Sequence, residues 1–371
     1  MYDLHEFLEP VNIDELNNDK GYNDGQLANH IEIFENEIPD LSEADIVFAG
    51  INGNESMNNN AAANAIRKQF YQLHFWHTDI QLADIGNIKS GATITDTYAA
   101  IRTVLAELLR MNKTVILLGG SHDITLAQYF AYKQLEQVIE ATVIDATIDL
   151  KSESPVRSEN FLMEMLTSEP NFVKHYNHIG FQSYFVHPRM LETMDKLRFD
   201  CYRVGLAKEN IEEMEPVIRN TTMLSFDIAA IKTSDAPASS CSANGFTGEE
   251  ACTLFQYAGM SNKLSSMGVY GYDPAMDTND LTAKQIAQML WYFIDGKSRS
   301  KQEALPEDKH NFNEFHTAFT DIDTTFLQSK KTGRWWMQLP DKKMIACSYK
   351  DYLNASNNQI PERWLRAQER G

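Results

Sequence analysis

Cysteine is scarce in this chain. Cys201, Cys241, Cys252 and Cys347 are scattered with no CxxC or zinc-like spacing, which argues against a disulfide scaffold and against a thiolate metal site. They read as reduced thiols of the kind buried in cytosolic proteins. Basic residues are in deficit as well: 33 Lys and Arg against 52 Asp and Glu give a formal net charge of −19. Nucleic acid and anionic membranes both need basic patches, so neither is an expected partner. No window reaches the roughly 18 consecutive apolar residues of a membrane span. The opening MYDLHEFLEPV puts acids where a signal peptide needs positive charge and then a long apolar run. The expected compartment is therefore the cytoplasm.

What is present is enough to build a large core. Hydrophobic residues make up 43% of the 371 positions, sufficient for one full α/β domain plus an appendage. Residues 1–40 are acidic, with short amphipathic segments expected to pack on the main domain. From 41 to 300 apolar strands alternate with amphipathic helices, the pattern of a mainly parallel sheet covered on both faces. The strands expected here include ADIVFAGI (44–51), LADIGN (82–87), HIGFQSY (178–184) and CYRVGLA (201–207), and helices are expected near 160–167, over 188–197 and over 210–218. Residues 301–371 form a Trp-rich extension: a charged linker, a hairpin around Pro340-Asp341 and a short helix after Pro361. Trp335, Trp336 and Trp364 bring much apolar area to bury, with packing on the parent domain preferred. A protein partner on this extension, or on the long loop KTSDAPASSCSANGF (232–246), is the sharper alternative.

Three of the strands end in acids or His. VILLGGSHDIT (115–125), TVIDATIDL (142–150) and MLSFDIAAI (223–231) run straight into His122, Asp145, Asp149 and Asp227. Ligands of open α/β sheets gather at that carboxyl edge. One imidazole and three carboxylates suit a divalent cation such as manganese. The remaining histidines, among them His74, His77, His175, His178 and His187, are read as structural.

In this order the three segments resemble the signature of the ureohydrolases, the arginase, agmatinase and formimidoylglutamase family. Gly119-Gly120-Ser121-His122-Asp123, Asp145-Ala146-Thr147-Ile148-Asp149 and Ser225-Phe226-Asp227-Ile228-Ala229 stand where the family has Gly-Gly-Asp-His-Ser, Asp-Ala-His-x-Asp and Ser-x-Asp-x-Asp. GFTGEEA (245–251), NNAAANAIRKQF (59–70) and YDPAMDTNDLTA (272–283) resemble flanking family segments. The resemblance implies a three-layer αβα arginase-like fold, trimers or hexamers, and a pair of manganese ions sharing a hydroxide. It also implies that His122, Asp145, Asp149 and Asp227 surround one ion.

The departures fall on the other ion. Its His and Asp positions are Thr147 and Ala229, and the Glu that pairs an amidinium, three residues before the Pro of the last segment, is Gly271. The expectation is one Mn2+ and no second metal site, in a protein that has left ordinary binuclear amidine hydrolysis for a binding, regulatory or assembly role. The alternative is an active hydrolase of C–N bonds in linear amidines, using one metal or a rebuilt pair, with Asp149 orienting the nucleophile.

Overall fold

The computed structural model describes residues 4–17, 21–51, 61–239, 243–320 and 322–370. Cys241 and most of the Asn-rich stretch after the first core strand lie outside the described residues. Ten strands form the central sheet: β1 (Leu8–Glu9), β2 (Ile31–Ile33), β3 (Ile46–Ile51), β4 (Leu82–Ile88), β5 (Thr114–Leu118), β6 (Ile139–Ile144), β7 (Val173–Phe181), β8 (Asp200–Arg203), β9 (Met223–Asp227) and β10 (Ser266–Tyr270). Their order is β1-β4-β3-β5-β10-β9-β6-β7-β8, with β2 also paired to β4. All pairings are parallel except that of β1 with β4.

Every residue of β3, β5, β9 and β10 is buried. Such runs are apolar on both faces because helices cover both. On one face Phe48, Ile116, Phe226 and Val269 pack under the helices Ala61–Phe70, Gly248–Gly259 and Leu281–Lys301. On the other, Val47, Val115, Leu117 and Val143 pack under Ile94–Arg110 and Ile124–Gln134. The αβα layering expected from the alternation is thus present.

Sheet order is what concentrates the acids. β5, β10, β9 and β6 are consecutive neighbours in the sheet although they are scattered in the chain. The connection from β5 to β6 skips over two strands inserted later, and their carboxyl ends come together. Elsewhere in the sheet Arg67 makes a bidentate pair with Asp84 of β4, 2.8 Å for each bond, and Tyr71 donates to the same carboxylate. That fully buried pair ties the helix Ala61–Phe70 to β4.

Several boundaries differ from those read in the sequence. β7 begins at Val173 and ends at Phe181, earlier than the apolar run alone indicated, because His175 and Asn177 are strand residues satisfied by polar neighbours. In CYRVGLA only Cys201–Arg203 stay extended, within β8, and Val204–Glu209 turns into a helix. Within residues 1–40, β1 and β2 are members of the sheet.

The extension builds its own antiparallel sheet, β11 (Phe312–Phe319), β12 (Ile322–Ser329), β13 (Trp335–Gln338) and β14 (Met344–Cys347), in that order. β13 and β14 are the hairpin expected around Pro340-Asp341. Trp335, Trp336 and Trp364 are buried in the chain's own interior, so a partner surface on this extension would have to use other side chains. Buried polar contacts fasten it. The Arg219 guanidinium lies 4.5 Å over the Trp336 ring and donates to the Trp335 carbonyl at 2.7 Å. Glu303 accepts from Arg334 Nε at 2.8 Å and from Ser329 at 2.6 Å, while Arg334 also donates to the Met260 carbonyl. Glu303→Gln keeps an acceptor but removes the charge opposite Arg334, and is expected to cost about 2 kcal/mol, read as a lower midpoint in urea unfolding. Among the described residues no helix is long and apolar enough to cross a membrane.

Candidate metal centre

Gly119 and Gly120 both have φ in the left-handed region, +88° and +84°, a conformation that carries little penalty without a Cβ. The backbone therefore turns sharply off β5 and sets His122 over the sheet edge. The helix Ile124–Gln134 starts directly afterwards.

Hydrogen bonding fixes how the imidazole faces. Nε2 lies 3.0 Å from Ser225 Oγ, which in turn lies 2.6 Å from Thr125 Oγ1. Nδ1 then points into the carboxylates: 3.0 Å from Asp149 Oδ2, 3.5 Å from Asp145 Oδ2 and 3.6 Å from Asp227 Oδ2. His122, Asp145 and Asp149 present donor atoms that all lie within 4.8 Å of one another. Asp227 joins at its His122 contact but stands outside that tightest set. All four are buried.

Each acid has at least one oxygen in a hydrogen bond with the protein. Asp145 Oδ1 accepts from the Ala146 amide at 2.6 Å, and Asp227 Oδ1 from the Ala229 amide at 2.7 Å. Thr147 Oγ1 is within donating distance of Asp145 Oδ2 (2.9 Å) and of Asp149 Oδ1 (3.1 Å). Asp149 Oδ2 is the exception: it is buried and accepts no hydrogen bond, its approach to His122 lacking hydrogen-bond alignment. A buried carboxylate oxygen without a donor is costly unless a cation satisfies it.

The titration behaviour has the same cause. Burial pushes Asp149 up to about 6 and Asp227 up to about 7, their acidic neighbours adding to it. Burial alone would lower His122, but Asp145, Asp149 and Asp227 outweigh it and hold the imidazole well above its ordinary value. Burial would raise Asp145, but the contact and charge of His122, with His178 and the Thr147 hydroxyl, together outweigh it and lower it. Without a cation the cluster therefore tends to hold protons.

The arginase family model matches residues 44–295. The chain belongs to the arginase family. It is 24% identical over 243 residues to formimidoylglutamase of Staphylococcus haemolyticus, which spans 62% of this chain and 76% of that one. For formimidoylglutamase of Staphylococcus aureus the identity is 26% over 242 residues, with 62% and 77% covered. Among solved structures, formiminoglutamase of Trypanosoma cruzi with Mn2+ superposes with a TM-score of 0.62 at 18% identity, covering 71% of this arginase-family chain and 99% of the other. Formimidoylglutamase of Bacillus subtilis gives 0.63 at 18%, with 74% and 92% covered. Agmatine ureohydrolase of Thermoplasma volcanium gives 0.60 at 19%, with 76% and 97% covered. At these identities the superpositions establish the fold.

The donor set fits one divalent ion among His122 Nδ1, Asp145 Oδ2, Asp149 Oδ2 and Asp227 Oδ2, with Asp149 Oδ2 the atom most in need of it. The positions that the resemblance gives to a second ion offer fewer donors. The Thr147 hydroxyl is taken up by Asp145 and Asp149, and Ala229 offers only an amide that already serves Asp227. Two acids that could have turned in as substitutes are committed elsewhere. Asp123 accepts from Tyr98 and Ser121, and Asp235 accepts from the Gly248 amide and Ser234.

One neighbour was invisible to sequence reasoning. His178, read there as structural, lies in β7 with Nε2 3.1 Å from the Asp145 carbonyl. Only the pairing of β7 with β6 brings it there, and no motif marks it.

Proposed function

We propose that this arginase-family chain is a metal-dependent hydrolase of C–N bonds in linear amidines, formimidoylglutamase-like, working with one divalent ion held by His122, Asp145, Asp149 and Asp227. The observation that carries this reading is the buried Asp149 oxygen with no hydrogen bond, set among an imidazole and two further carboxylates. The formimidoylglutamase relatives support the hydrolase reading more than the expectation of a protein that has abandoned hydrolysis. An ion bound there supplies a Lewis acid that makes water a nucleophile near neutral pH. The chain's own groups do the rest. Ser225 holds the His122 ring so that Nδ1 faces inward; the Ala146 and Ala229 amides hold Asp145 and Asp227; Asp149 Oδ1, beside the Thr147 hydroxyl, is the atom left to orient the attacking water.

A binding or regulatory role is the second reading, favoured by Gly271, since no carboxylate stands there to pair an amidinium. Assay of the purified chain with Mn2+ on N-formimidoylglutamate, agmatine and arginine separates the two. Formamide or urea release that depends on Mn2+ supports the first, and none on any of the three overturns it. Trimeric or hexameric assembly and a location in the cytoplasm accompany the proposal.

The reading also has a pH signature. Asp149 and Asp227 bind protons in the metal-free fold that ordinary carboxyls of about 4 have released in the unfolded chain, so metal-free stability falls as pH rises from about 4 through 7. His122 acts in the same direction: its contribution is full below about 6.5 and is lost as pH climbs through its raised folded value. His178, pushed down to about 4 by burial, opposes them between that value and about 6.5. Mn2+ must displace the site's protons, so its affinity is expected to be at least about tenfold weaker at pH 6 than at pH 8. The Mn2+-induced rise in melting temperature should grow over the same interval, and a pH-independent rise speaks against binding at this cluster.

A further inference from the structure

The β6–β7 ladder stops just below the acids. The Asp145 amide still donates to the Ile179 carbonyl at 3.1 Å, and beyond it the Gln182 amide donates to the Ala146 carbonyl at 2.9 Å. Between these bonds the chain of β7 passes through Gly180 at φ +102°. Among the described residues no backbone amide reaches the Asp145 carbonyl, and the His178 side chain meets it instead, Nε2 to oxygen 3.1 Å. A carbonyl can only accept, so Nε2 carries the proton and Nδ1 is the acceptor. Tyr176 O–H donates to that Nδ1 at 3.0 Å and fixes the tautomer. Both residues are fully buried.

The peptide plane between Asp145 and Ala146 is held from both sides as a result. Its carbonyl is anchored by His178, and its N–H is the group that binds Asp145 Oδ1 at 2.6 Å. With Oδ1 held there, Oδ2 is the oxygen directed toward His122 Nδ1. We propose that His178 is a positioning residue for the metal centre, acting through the Asp145–Ala146 peptide to aim the Asp145 carboxylate, with Tyr176 setting the imidazole tautomer. This rests on the reading of Asp145 as a ligand to the ion. It assigns a role in ion binding to a strand residue that touches neither ion nor substrate.

The test is Mn2+ affinity of the full-length protein, followed by the loss of the free-ion electron paramagnetic resonance signal, beside the melting temperature of each metal-free variant. His178→Leu removes the donor, and Mn2+ binding is expected to weaken by about 10- to 100-fold, the range for lost outer-shell partners of metal ligands. His178→Gln places an amide N–H near the Nε2 position and should bind within about threefold of the parent. The Leu variant leaves the Asp145 carbonyl and the Tyr176 hydroxyl unpaired and is expected to melt below the Gln variant without metal, so affinities are compared well below both melting temperatures, where a merely structural histidine would leave Mn2+ binding of the folded protein unchanged. Should the Leu variant not fold, Tyr176→Phe carries the test: freed of its tautomer lock, the imidazole spends part of its time without the needed donor, and binding should weaken by about fivefold. A parent protein that takes up no Mn2+ overturns the metal-site reading and this inference with it. A parent that binds while the Leu variant binds equally well, or while Gln and Leu weaken together in step with melting temperature, overturns the positioning role alone. If the Leu variant is lost, unchanged binding by Tyr176→Phe does the same.

Discussion

Asp149→Asn is expected to weaken Mn2+ binding by on the order of a hundredfold or more, beyond the usual effect of losing an outer-shell group, and to abolish metal-dependent amidine hydrolysis. The substitution is nearly isosteric. Asn keeps an oxygen at the Oδ1 position, where the Thr147 hydroxyl can still donate, and turns the orphaned Oδ2 into an amide nitrogen facing His122 Nδ1 at 3.0 Å. With the Asp149 charge gone the imidazole holds its proton less tightly, and a neutral Nδ1 can accept from that nitrogen. The buried charge disappears at the same time. Because burial holds Asp149 up at about 6, its ionised form destabilises the metal-free fold above that pH, and removing it should leave the metal-free protein at pH 8 as stable as the parent or more so. Loss of binding with no loss of stability is the diagnostic combination. A ligand kept for structure alone would give the reverse, and undiminished Mn2+ affinity in the Asn variant would falsify the assignment of Asp149 to the ion. Isothermal titration with Mn2+ and thermal melts at pH 8 provide both readouts.

Much of this centre is legible in the sequence because it sits at strand ends. A buried parallel strand is an unbroken apolar run, so VILLGG, TVI and MLSF announce themselves, and the first polar residues after each run fall at the carboxyl edge. That logic places His122, Asp145, Asp149 and Asp227 without any knowledge of sheet order. It cannot show that β9 and β10 insert between β5 and β6, which is what brings three separate tips together. Nor can it show His178 or Tyr176, whose roles come from register: Val143 pairs with His178 and Ile144 with Ile179. The extension failed for a different reason. In β11 burial alternates from Glu314 to Phe319, but Thr317 stands on the inner side and Ala318 on the outer, so the period-two pattern of apolar residues gives no warning of the β11–β12 hairpin. The Trp-rich hairpin beside it is plain because Pro340-Asp341 marks its turn. The absence of ligands at Thr147 and Ala229 is equally plain in sequence. What the structure adds is that the Thr147 hydroxyl lies between two of the remaining acids, so the position contributes to the hydrogen bonding of Asp145 and Asp149.

Gly271→Glu, which would put a carboxylate where the motif resemblance places the family's amidinium-binding residue, is expected to damage the protein where the resemblance alone would expect repair. Gly271 has φ +78°, a left-handed conformation that costs a residue with a Cβ about 1–2 kcal/mol. A Cβ built there stands 2.6 Å from Asp227 Oδ1 and 2.7 Å from Oδ2, closer than such atoms approach. The room to relieve this is small, since the Gly271 amide donates to the Gly120 carbonyl at 2.9 Å in the turn that carries His122. Asp227 would have to swing away, giving up the Ala229 amide and its place 3.6 Å from His122. The new acid would also join Asp149 and Asp227, carboxyls already raised to about 6 and about 7 by burial and mutual repulsion, and a further negative charge there raises the cost of ionising all of them. Strain, collision and repulsion act in one direction. The variant should lose roughly 3 kcal/mol or more of stability, at the upper end of what single substitutions do, and bind Mn2+ at least about tenfold more weakly through the displaced Asp227. Urea unfolding and Mn2+ titration of the variant beside the parent measure both effects. A Gly271→Glu variant that melts like the parent and hydrolyses amidines faster would mean that Asp227 moves freely, which its contacts to Ala229 and His122 argue against.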